Sequence, residues 1–505
     1  MDRGPFDSAD LARLEERGIP VAEALRQLRL IAEPPPALRL DRPCTVGDGI
    51  ETVEEAEVPG LLERHETAAR AGRIAKFVPA SGAATRMFQD LLGPPGGRVE
   101  AAARRVLQEI RSFPFAAELD VALGLRGDSL NRVVVDADAA ALVEALVGRE
   151  GLAYADRPKG LLPFHRYGDG FRTAFEEHLV EGAGTVRDAG GVCRVHLTVS
   201  PEHLEPFRAL ADRVRGVWER HLSARFEISF SVQKPSTETL AGDPGGGPFR
   251  DEDGRLVFRP AGHGALLDNL ADLGADVVLI KNVDNVQPDR LRDATILWKR
   301  LLAGRLLELE ERAHEYVRRL EAGEAGGAPL AETAAFASER LHLQVPPASA
   351  PAEELRAGLL EALDRPIRVA GVVRNTGEPG GGPFWVAEAG GRASPQIVET
   401  AEIDLSAPDQ VRALAAATHF NPVDLACSLR DARGRPFDPR RFANPDAVIV
   451  ARKSSGGREL LALERPGLWN GSMARWATVF VEVPIATFSP VKTLFDLLRP
   501  EHQPE

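Results

Sequence analysis

The stretch KFVPASGAATRMFQDL, residues 76–91, decides the fold that the sequence predicts. A short apolar run, Lys76 to Val78, is followed by a turn of small residues and then by a segment with the character of a helix. A strand that turns into a helix is the building unit of an α/β fold. The turn has two interpretations: unpaired N–H groups at a helix start attract anions, or Ser81 and Thr85 merely cap the helix. Arg86 favours the first, because a guanidinium beside such a turn can clamp a phosphate.

The alternation of strand and helix continues outward from this stretch. Further β-rich runs lie at 192–200, 225–232 and 275–284, and helical segments separate them at 171–182 and 201–221. This pattern predicts a mostly parallel sheet covered by helices, with ligands bound where strands end and helices begin. Helical periodicity dominates 288–364. Strand signals return in four later runs, which are IRVAGVVRN, PFWVAE, AVIVARK and TVFVEVPI.

Composition excludes several classes of protein. The chain has 505 residues, 44% of them hydrophobic and 27% charged, and the sequence contains no apolar run long enough for a membrane span. Because no secretion signal is visible at the start, we expect a cytoplasmic protein. A net charge of −13 opposes broad binding to nucleic acid or anionic lipid. The three scattered cysteines, Cys44, Cys193 and Cys427, indicate buried thiols rather than disulfides or a zinc site.

Lysine is rare: the chain has seven lysines against 55 arginines. Arginine is a planar fork and lysine a compact charge on a flexible stem, so lysine is expected where the fork does not fit, unless its scarcity is chance. Lys299, in ILWKRLL, has the pattern of an ordinary helix-surface residue. The other lysines lie beside glycine, proline or a short apolar run.

Two of these lysines occupy turns. Lys159 lies in DRPKGLLPFHRYGDG, residues 156–170, which we place ahead of a helix; the alternative is a solvated lysine in a proline-rich loop. Gln233 and Lys234 end the strand in FSVQKPSTETLA. Both turns are candidates for ligand contacts at the ends of strands.

Two further turns carry polar side chains. In RPAGHGALLDNL, Gly262 and Gly264 flank His263 at a helix start, where the glycines can let a flat ring approach the main chain. His263 is also suited to a plain loop or cap position. In VVLIKNVDNVQPD, Lys281 and Asp284 follow an apolar strand. A carboxylate at this position is suited to bind a magnesium ion that also binds phosphate. Capping the N-terminus of a helix is an equally good interpretation of Asp284.

These motifs resemble those of a known enzyme family. RPAGHGALLDNL followed by VVLIKNVDN resembles a motif pair of the UDP-sugar pyrophosphorylases, the family of UTP–glucose-1-phosphate uridylyltransferase and UDP-N-acetylhexosamine pyrophosphorylase. Five other matches follow the same order along the chain: PASGAATRM, RPKGLLPF, FSVQKPS with DEDGRLVF, QIVETAEI at 396–403 and TFSPVKTLFDLL at 487–498. The whole chain more closely resembles a bacterial domain-of-unknown-function family, DUF4301, which is itself similar to a distant branch of these enzymes.

The resemblance implies a Rossmann-like mixed sheet of the nucleotide-diphospho-sugar transferase (GT-A) type with helical insertions. It implies an Mg²⁺-dependent enzyme that joins a nucleoside triphosphate to a sugar 1-phosphate and releases pyrophosphate. The implied catalytic cations are Arg86, Lys159 and Lys492, and Asp284 is the implied metal ligand. The implied nucleotide contacts are Ser81, Gly82, Ala83, Ala84, Thr85, Gln233, Gly262, His263 and Gly264. The implied sugar or phosphate contacts are Lys234, Lys281, Glu399 and Asn421.

The sequence departs from the family in places. The first loop has one glycine, Gly82, where the family has several, and about 70 residues separate that loop from the proline-lysine-glycine turn. A nucleotide- or sugar-binding protein without transferase activity therefore stays an alternative, as does transfer to a non-sugar phosphate. The motif RPGLWNGSMARW, 465–476, has no place in the pattern, and is either an acceptor site or a buried aromatic corner.

The same patterns predict four parts of the chain. They are an N-terminal helical extension at 1–72, a nucleotide-binding α/β core at 73–290 with a helical insertion near 93–150, a second helical insertion at 291–365, and a C-terminal α/β part at 366–505 that completes the sheet and the sugar-phosphate side of the site.

Overall fold

The computed structural model describes residues 4–94, 96–168, 170–323, 327–377, 381–388 and 390–504. The chain forms two compact units, each assembled from three separate stretches. The first unit comprises Met1–Glu66, Gln233–Leu279 and Leu301–Val483. The second unit comprises Thr67–Val232, Ile280–Arg300 and Pro484–Glu505.

Helices and strands alternate along much of the described chain. The helices are α1 Ser8–Arg17, α2 Val21–Ala32, α3 Val58–Arg70, α4 Gly97–Glu109, α5 Ala116–Leu125, α6 Leu130–Val135, α7 Ala139–Val147, α8 Ala174–Thr185, α9 Leu204–Leu222, α10 Leu267–Asp272, α11 Asp289–Glu321, α12 Gly327–Ala335, α13 Ala352–Leu363 and α14 Pro408–Ala415. Within the described ranges, no helix combines the length and the apolar character that crossing a bilayer requires.

The strands are short to medium in length. They are β1 Leu40–Pro43, β2 Thr45–Val46, β3 Gly49–Glu51, β4 Ile74–Pro79, β5 Pro163–Tyr167, β6 Gly170–Thr173, β7 Val192–Val199, β8 Arg225–Val232, β9 Thr239–Gly242, β10 Phe258–Arg259, β11 Val277–Lys281, β12 Ile367–Arg374, β13 Gly382–Ala387, β14 Ala393–Val398, β15 His419–Ser428, β16 Ile449–Ser455, β17 Arg458–Glu464 and β18 Ala477–Glu482.

Parallel strands form the core of the second unit. β4 pairs in parallel with β7, and β7 pairs in parallel with β8. Five of the six residues of β4 are buried, as are seven of the eight residues of β7. Strands that are buried on both faces read as continuous apolar runs, which is why the sequence located them. Helix α8 begins at a capping box between Thr173 and Glu176 and buries ten of its 12 residues.

A mixed sheet forms the core of the first unit. Its strand order is β2-β3-β18-β12-β15-β11, with β12 parallel to β18 and antiparallel to β15. All ten residues of β15 are buried. Two smaller sheets, β1-β13-β14 and β10-β9-β17-β16, belong to the same unit. The predicted mixed α/β fold is confirmed by this large mixed sheet.

The N-terminal segment differs from the wholly helical extension that the sequence predicts. Helices α1 and α2 occur where the periodicity places them, but β1, β2 and β3 lie between residues 40 and 51. β1 pairs with β13, and β3 pairs with β18. Strands of two to four residues are too short to give a periodic signal, so the sequence pattern does not reveal them.

Two buried lysines and one buried glutamate form ion pairs in the second unit, and we call these three residues the Glu181 cluster. Lys76 of β4 and Lys281 of β11 donate to the two carboxylate oxygens of Glu181 on α8, at 2.9 Å and 2.7 Å. All three residues are at most 4% exposed. Burial lowers the pKa of Lys76 to about 8, while the lysine charges hold the pKa of Glu181 far below its ordinary value despite burial.

The Glu181 cluster corrects two predictions. Lys281 was expected to hold sugar or phosphate, yet its ammonium group is fully buried against Glu181. Lys299 was expected on a helix surface, yet it is 1% exposed, and its charge also lowers the pKa of Glu181. A buried cation of this kind requires a compensating anion, and the sequence does not show that Glu181 supplies one.

We expect Glu181→Gln to destabilise the protein severely. The substitution leaves the ammonium groups of Lys76 and Lys281 buried without a counter-charge, which costs about 3–5 kcal/mol. Urea denaturation at neutral pH measures the change in the free energy of unfolding. The matched control is Glu205→Gln on α9, whose side chain is 77% exposed; equal midpoints for the two variants would contradict the role of the cluster.

Candidate functional site

The first group of candidate residues lies around Asp284, just after β11 in the second unit. The carboxylate oxygen Oδ2 of Asp284 accepts hydrogen bonds from Nζ of Lys159 at 2.8 Å and from Nζ of Lys492 at 3.2 Å. We call these three residues the Asp284 cluster. Asp284 is 7% exposed, and its second oxygen, Oδ1, is buried with no partner among the described residues.

Main-chain contacts fix the geometry of this cluster. The N–H of Val491 donates to the carbonyl oxygen of Asp284 at 3.0 Å, and Nζ of Lys159 donates to the carbonyl oxygen of Val491 at 2.6 Å. Asp496 accepts from the N–H of Lys492 at 2.8 Å. The chain around Lys492 is therefore bonded to both other members of the cluster.

The electrostatics of the Asp284 cluster favour an anion. Burial raises the pKa of Asp284, but the ammonium groups of Lys492 and Lys159 lower it by more, so the carboxyl group is ionised at neutral pH. Two cations against one anion leave one positive charge unbalanced. The side chain of Lys492 is 47% exposed, so this charge is accessible to a ligand from solvent.

The small-residue loop lies against the turn that carries Lys159. Ala83 forms a bridge with Pro158, the N–H of Ala84 donates to the carbonyl oxygen of Arg157 at 2.8 Å, and Thr85 Oγ1 donates to the carbonyl oxygen of Ala155 at 3.1 Å. The two turns that the sequence singled out are thus brought together. No described atom lies within 4 Å of the position that a Cβ on Gly82 would occupy, so the outer side of the loop is open.

The conformation of this loop corrects two predictions. The segment that follows it is not a helix but two single 3₁₀ turns, Ala84–Arg86 and Gln89–Leu91, so no helix N-terminus is available to hold an anion. The sequence GPPGG that follows prevents a longer helix. The amide of Ala84 is engaged within the chain, which removes it from the expected phosphate cradle. Its methyl group is fully buried and leaves the cradle clear.

The turn at Lys159 also differs from expectation. Residues Lys159–Leu161 form one 3₁₀ turn and lead into the hairpin of β5 and β6, not directly into a helix. A Cβ at Gly160 would come within 2.7 Å of the ring of Phe207, so glycine is required there by packing. The sequence does not distinguish this hairpin from a loop, because its two strands are short and begin with proline and glycine.

The second group of candidate residues surrounds His263 in the first unit. The imidazole ring stacks on the indole of Trp469, with centroids 4.1 Å apart and planes at 13°. Nδ1 of His263 accepts from the N–H of Leu468 at 2.8 Å, so a neutral ring carries its proton on Nε2. That nitrogen lies 3.7 Å from Oε1 of Glu399. We call His263, Glu399, Glu402, Trp469 and Asn470 the His263 cluster.

Glycines permit the close approach of the two segments in this cluster. Gly262 has a φ of 74°, a conformation that favours glycine. A Cβ at Gly264 would lie 1.9 Å from the carbonyl oxygen of Pro466, and one at Gly467 would lie 2.6 Å from the ring of His263. Gly262 and Gly264 were expected to let the flat ring of a ligand approach the main chain. In the structure, other parts of the same chain make the close contacts at these glycines.

Two carboxyl groups of the His263 cluster have opposite pKa shifts. Oε2 of Glu402 accepts from the N–H of Glu399 at 2.8 Å and from Nδ2 of Asn470 at 3.0 Å. Burial nevertheless raises the pKa of Glu402 to about 7, and the charge of Glu399 adds to the increase. The neighbouring imidazole lowers the pKa of Glu399. One carboxyl group is thus ionised and the other partly protonated at neutral pH.

Other candidate residues lie apart from these contacts. Lys234 forms an ion pair with Asp272 at 2.5 Å, and Gln233 is half-buried. Asn421 does not fit its predicted role at a sugar, because both ends of its amide are used internally: Nδ2 donates to Gly371 and Oδ1 accepts from the N–H of Val423. Val423 has a φ of 58°, so Asn421 stabilises a strained bulge in β15.

The sequence left the motif with Trp469 and Asn470 open between an acceptor site and a buried aromatic corner, and it assigned no role to Glu402. Trp469 and Asn470 belong to the motif at 465–476, which now has a place against His263. The signal available was the paired tryptophan and asparagine beside glycine in an otherwise aromatic-poor chain. Glu402 lies within the matched stretch QIVETAEI, but the resemblance assigns a role only to Glu399, and the raised pKa of Glu402 comes from its burial.

The family model of the domain of unknown function DUF4301 matches residues 7–503. This chain belongs to the DUF4301 family. No curated protein matches it. Among solved structures it is similar to the uridine diphosphate N-acetylglucosamine pyrophosphorylase of Trypanosoma brucei in complex with an inhibitor, at 16% identity and a TM-score of 0.50, over 98% of this chain and 79% of that chain.

Two other solved structures are similar at lower scores. The UDP-glucose phosphorylase of Trypanosoma brucei is 14% identical, and the UDP-glucose pyrophosphorylase of Leishmania major is 12% identical. Each similarity covers 97% of this DUF4301 chain and 77% of the other chain, with a TM-score of 0.45. At such identities, the structure with the higher score shows the fold alone: a mixed α/β fold similar to that of UDP-sugar pyrophosphorylases.

Replacing Glu402 by Gln tests the raised pKa of this carboxyl group. A carboxyl group with a higher pKa in the folded state binds more protons when folded, so stability falls as pH rises from the unfolded to the folded pKa. For Glu402 this window runs from the ordinary value of 4.5 to about 7. We expect the wild-type free energy of unfolding to fall by roughly 3 kcal/mol more than that of Glu402→Gln across the window.

Urea denaturation at several pH values between about 4.5 and 8 measures this difference. Glu353→Gln, whose side chain is 75% exposed, is the control and should follow the wild type. If Glu402→Gln also follows the wild-type curve, the pKa of Glu402 is not raised.

Proposed function

We propose that this chain is a nucleotidyltransferase that joins a nucleoside triphosphate to a sugar 1-phosphate and releases pyrophosphate. The observation that carries the proposal is the Asp284 cluster, in which two lysines meet one carboxylate that retains a free oxygen. The similarity in fold to UDP-sugar pyrophosphorylases supports it. We further propose that the sheet is of the nucleotide-diphospho-sugar transferase, or GT-A, type.

The chemistry fits a site built of cations. An oxygen of the sugar phosphate attacks the α-phosphorus of the triphosphate and forms a new bond to it. The bond between the α-phosphorus and the oxygen that bridges to the β-phosphorus breaks, and pyrophosphate leaves with that oxygen. The attacking oxygen is already anionic, so no protein nucleophile is needed; the protein must align two polyanions and neutralise charge. We assign Lys159 to the α- and β-phosphates and Lys492 to the sugar phosphate or α-phosphate.

The loop beside Lys159 completes the proposed phosphate contacts. Gly82 and Ala83 are exposed, and so is the guanidinium-bearing Arg86. We assign the amides of Ser81 to Ala83, with Arg86, to the outer phosphates of the triphosphate. The open space around Gly82 supports this assignment, because a phosphate must approach the main chain closely to accept from its amides.

Asp284 is the residue that would hold Mg²⁺. The described residues contain no group of three or more acidic, histidine or cysteine side chains arranged for a metal. A single carboxylate is nonetheless compatible with Mg²⁺, which commonly takes one or two protein carboxylates together with substrate phosphates and water. The unpartnered Oδ1 of Asp284 is the available ligand atom. When bound there, the ion would neutralise phosphate charge.

In the first unit, we assign the His263 cluster to hydroxyl groups. Glu399 is an ionised acceptor with a partly exposed side chain, and Nε2 of His263 is a donor beside it. A carboxylate next to a donor suits paired hydroxyls of a sugar or ribose. Gln233 and Lys234 stay candidates for the nucleotide and the sugar phosphate, respectively.

Asp284→Asn is expected to abolish turnover while leaving the fold intact. The variant keeps the shape of the side chain but removes the charge that balances two lysines and holds the metal, a loss on the order of 10²-fold or more. The assay is magnesium-dependent pyrophosphate release, with several nucleoside triphosphates paired with several sugar 1-phosphates. Lys159→Gln should lose turnover similarly, and the exposed Lys453→Gln is the matched control.

Two outcomes would contradict the proposal. Near-normal turnover of Asp284→Asn would remove Asp284 from the reaction. Binding of a nucleoside triphosphate by the wild type without pyrophosphate release, across the whole panel, would favour a binding protein of the same fold; the engaged amide of Ala84 is the observation behind that alternative.

Glu399→Gln is expected to weaken substrate binding more than turnover. The amide preserves the size of the side chain but accepts hydroxyl protons less strongly than a carboxylate does. We expect KM for one substrate to rise about tenfold, with kcat changed by less than about threefold. The exposed Glu459→Gln, on β17 of the same unit, is the control. An unchanged KM for both substrates would remove Glu399 from the site.

A further inference from the structure

A pocket of about 510 Å³ lies in the first unit, and none of its lining residues belongs to the His263 cluster. It is bordered by the end of α13, the start of β14, the segment before β18 and the chain at 341–347. β12 and β18 both begin beside it, so it lies at the amino ends of these parallel strands. Ligands of open α/β sheets normally bind at the opposite, carboxyl ends. The pocket is therefore not at the edge of the sheet where such folds normally bind their ligands.

The polar side chains at the floor of the pocket, Gln396 and Thr478, have hydrogen-bond partners within the chain. Gln396 donates to Ser394 Oγ at 3.1 Å and to the carbonyl oxygen of Ala474 at 2.7 Å. Thr478 Oγ1 accepts from Nε of the buried Arg368 at 2.8 Å. Because the polar groups of the floor have partners, the floor is rigid and does not itself require a ligand.

The walls differ from the floor, because three of their polar nitrogen atoms have no partner among the described residues. Nε1 of Trp476, Nε of Arg365 and Nε2 of His342 are buried, and none has a hydrogen-bond partner within the described part of the chain. Trp476 is only 3% exposed and lines the pocket. A buried donor without a partner costs about 1–3 kcal/mol, and native proteins leave few of them. A ligand rich in oxygen acceptors would satisfy the two that always carry a hydrogen, Nε1 of Trp476 and Nε of Arg365.

The charges of the walls favour an anionic group. Arg365, Arg392 and Arg475 line the pocket, opposed by Glu361 and Glu388. Arg365 is held in place by its Nη atoms, which donate to the carbonyl oxygens of Arg475 and Glu361 at 3.3 Å each. Its Nε–H has no partner among the described residues. Burial lowers the pKa of this guanidinium, and an anion beside it would oppose that effect.

We propose that this pocket binds a small phosphate ester with a hydroxylated body, as a second ligand site of the chain. The fixed guanidinium of Arg365 and the indole N–H of Trp476 bind the phosphate oxygens. Glu361 and Glu388 accept from the hydroxyl groups of the body. A volume of about 510 Å³ exceeds what inorganic phosphate needs and suits a ligand of sugar-phosphate size. The proposal does not rest on the transferase activity.

Isothermal titration calorimetry of the full chain with glucose 6-phosphate tests the site. We expect saturable binding, weakened about tenfold in Arg365→Gln and about threefold or more in Trp476→Phe, which removes the N–H donor together with the five-membered ring of the indole. The exposed Arg412→Gln, on α14, is the matched control and should bind like the wild type. Lys159→Gln should also bind like the wild type, which separates this pocket from the Asp284 cluster.

Glucose and inorganic phosphate are the comparison probes. We expect glucose not to bind and inorganic phosphate to bind more weakly than the ester. Three results would each overturn the proposal: no heat with glucose 6-phosphate, equal affinity of the wild type and Trp476→Phe, or loss of binding in Lys159→Gln alone. If Arg365→Gln does not fold, Trp476→Phe decides the question.

Discussion

The buried ion cluster at Glu181 is the constraint on which the second unit depends. Lys76 lies on β4 and Lys281 on β11, and both donate to the same carboxylate on α8. Removing charges from water costs several kcal/mol per ion, so the geometry must hold all three side chains closely. The small-residue loop follows β4 directly, and Asp284 follows Lys281 by three residues. The cluster therefore fixes the starting points of the two segments that carry the proposed phosphate site.

Four of the seven lysines of the chain lie in the two ion clusters. Lys76 and Lys281 are fully enclosed around one carboxylate, and Lys159 and Lys492 share another. Each pair places two compact ammonium groups on one carboxylate. The sequence alone indicated that lysine positions were special but not which of them were structural.

Much of the fold was predictable because it rests on local pattern. The strands β4, β7 and β11 are buried on both faces, and such strands appear as mostly apolar runs even where a polar residue such as Lys76 interrupts them. Long-range pairing was not predictable: Lys159 and Asp284 are 125 residues apart, and only a resemblance to known motifs placed them in one site. The roles of Lys281 and Asn421 were wrong for the same reason, since their partners Glu181 and Gly371 lie far away in sequence. The roles assigned to the other candidate site residues stay predictions.

The most direct test of the central claim, that the Asp284 cluster handles phosphate, is a crystal structure with an α,β-methylene nucleoside triphosphate and Mg²⁺. The account predicts phosphate oxygens on Nζ of Lys159 and Lys492, with the metal on Oδ1 of Asp284. Because the methylene bridge prevents transfer, the bound nucleotide is trapped before reaction. A nucleotide bound elsewhere, with both lysines still paired only to Asp284, would contradict it.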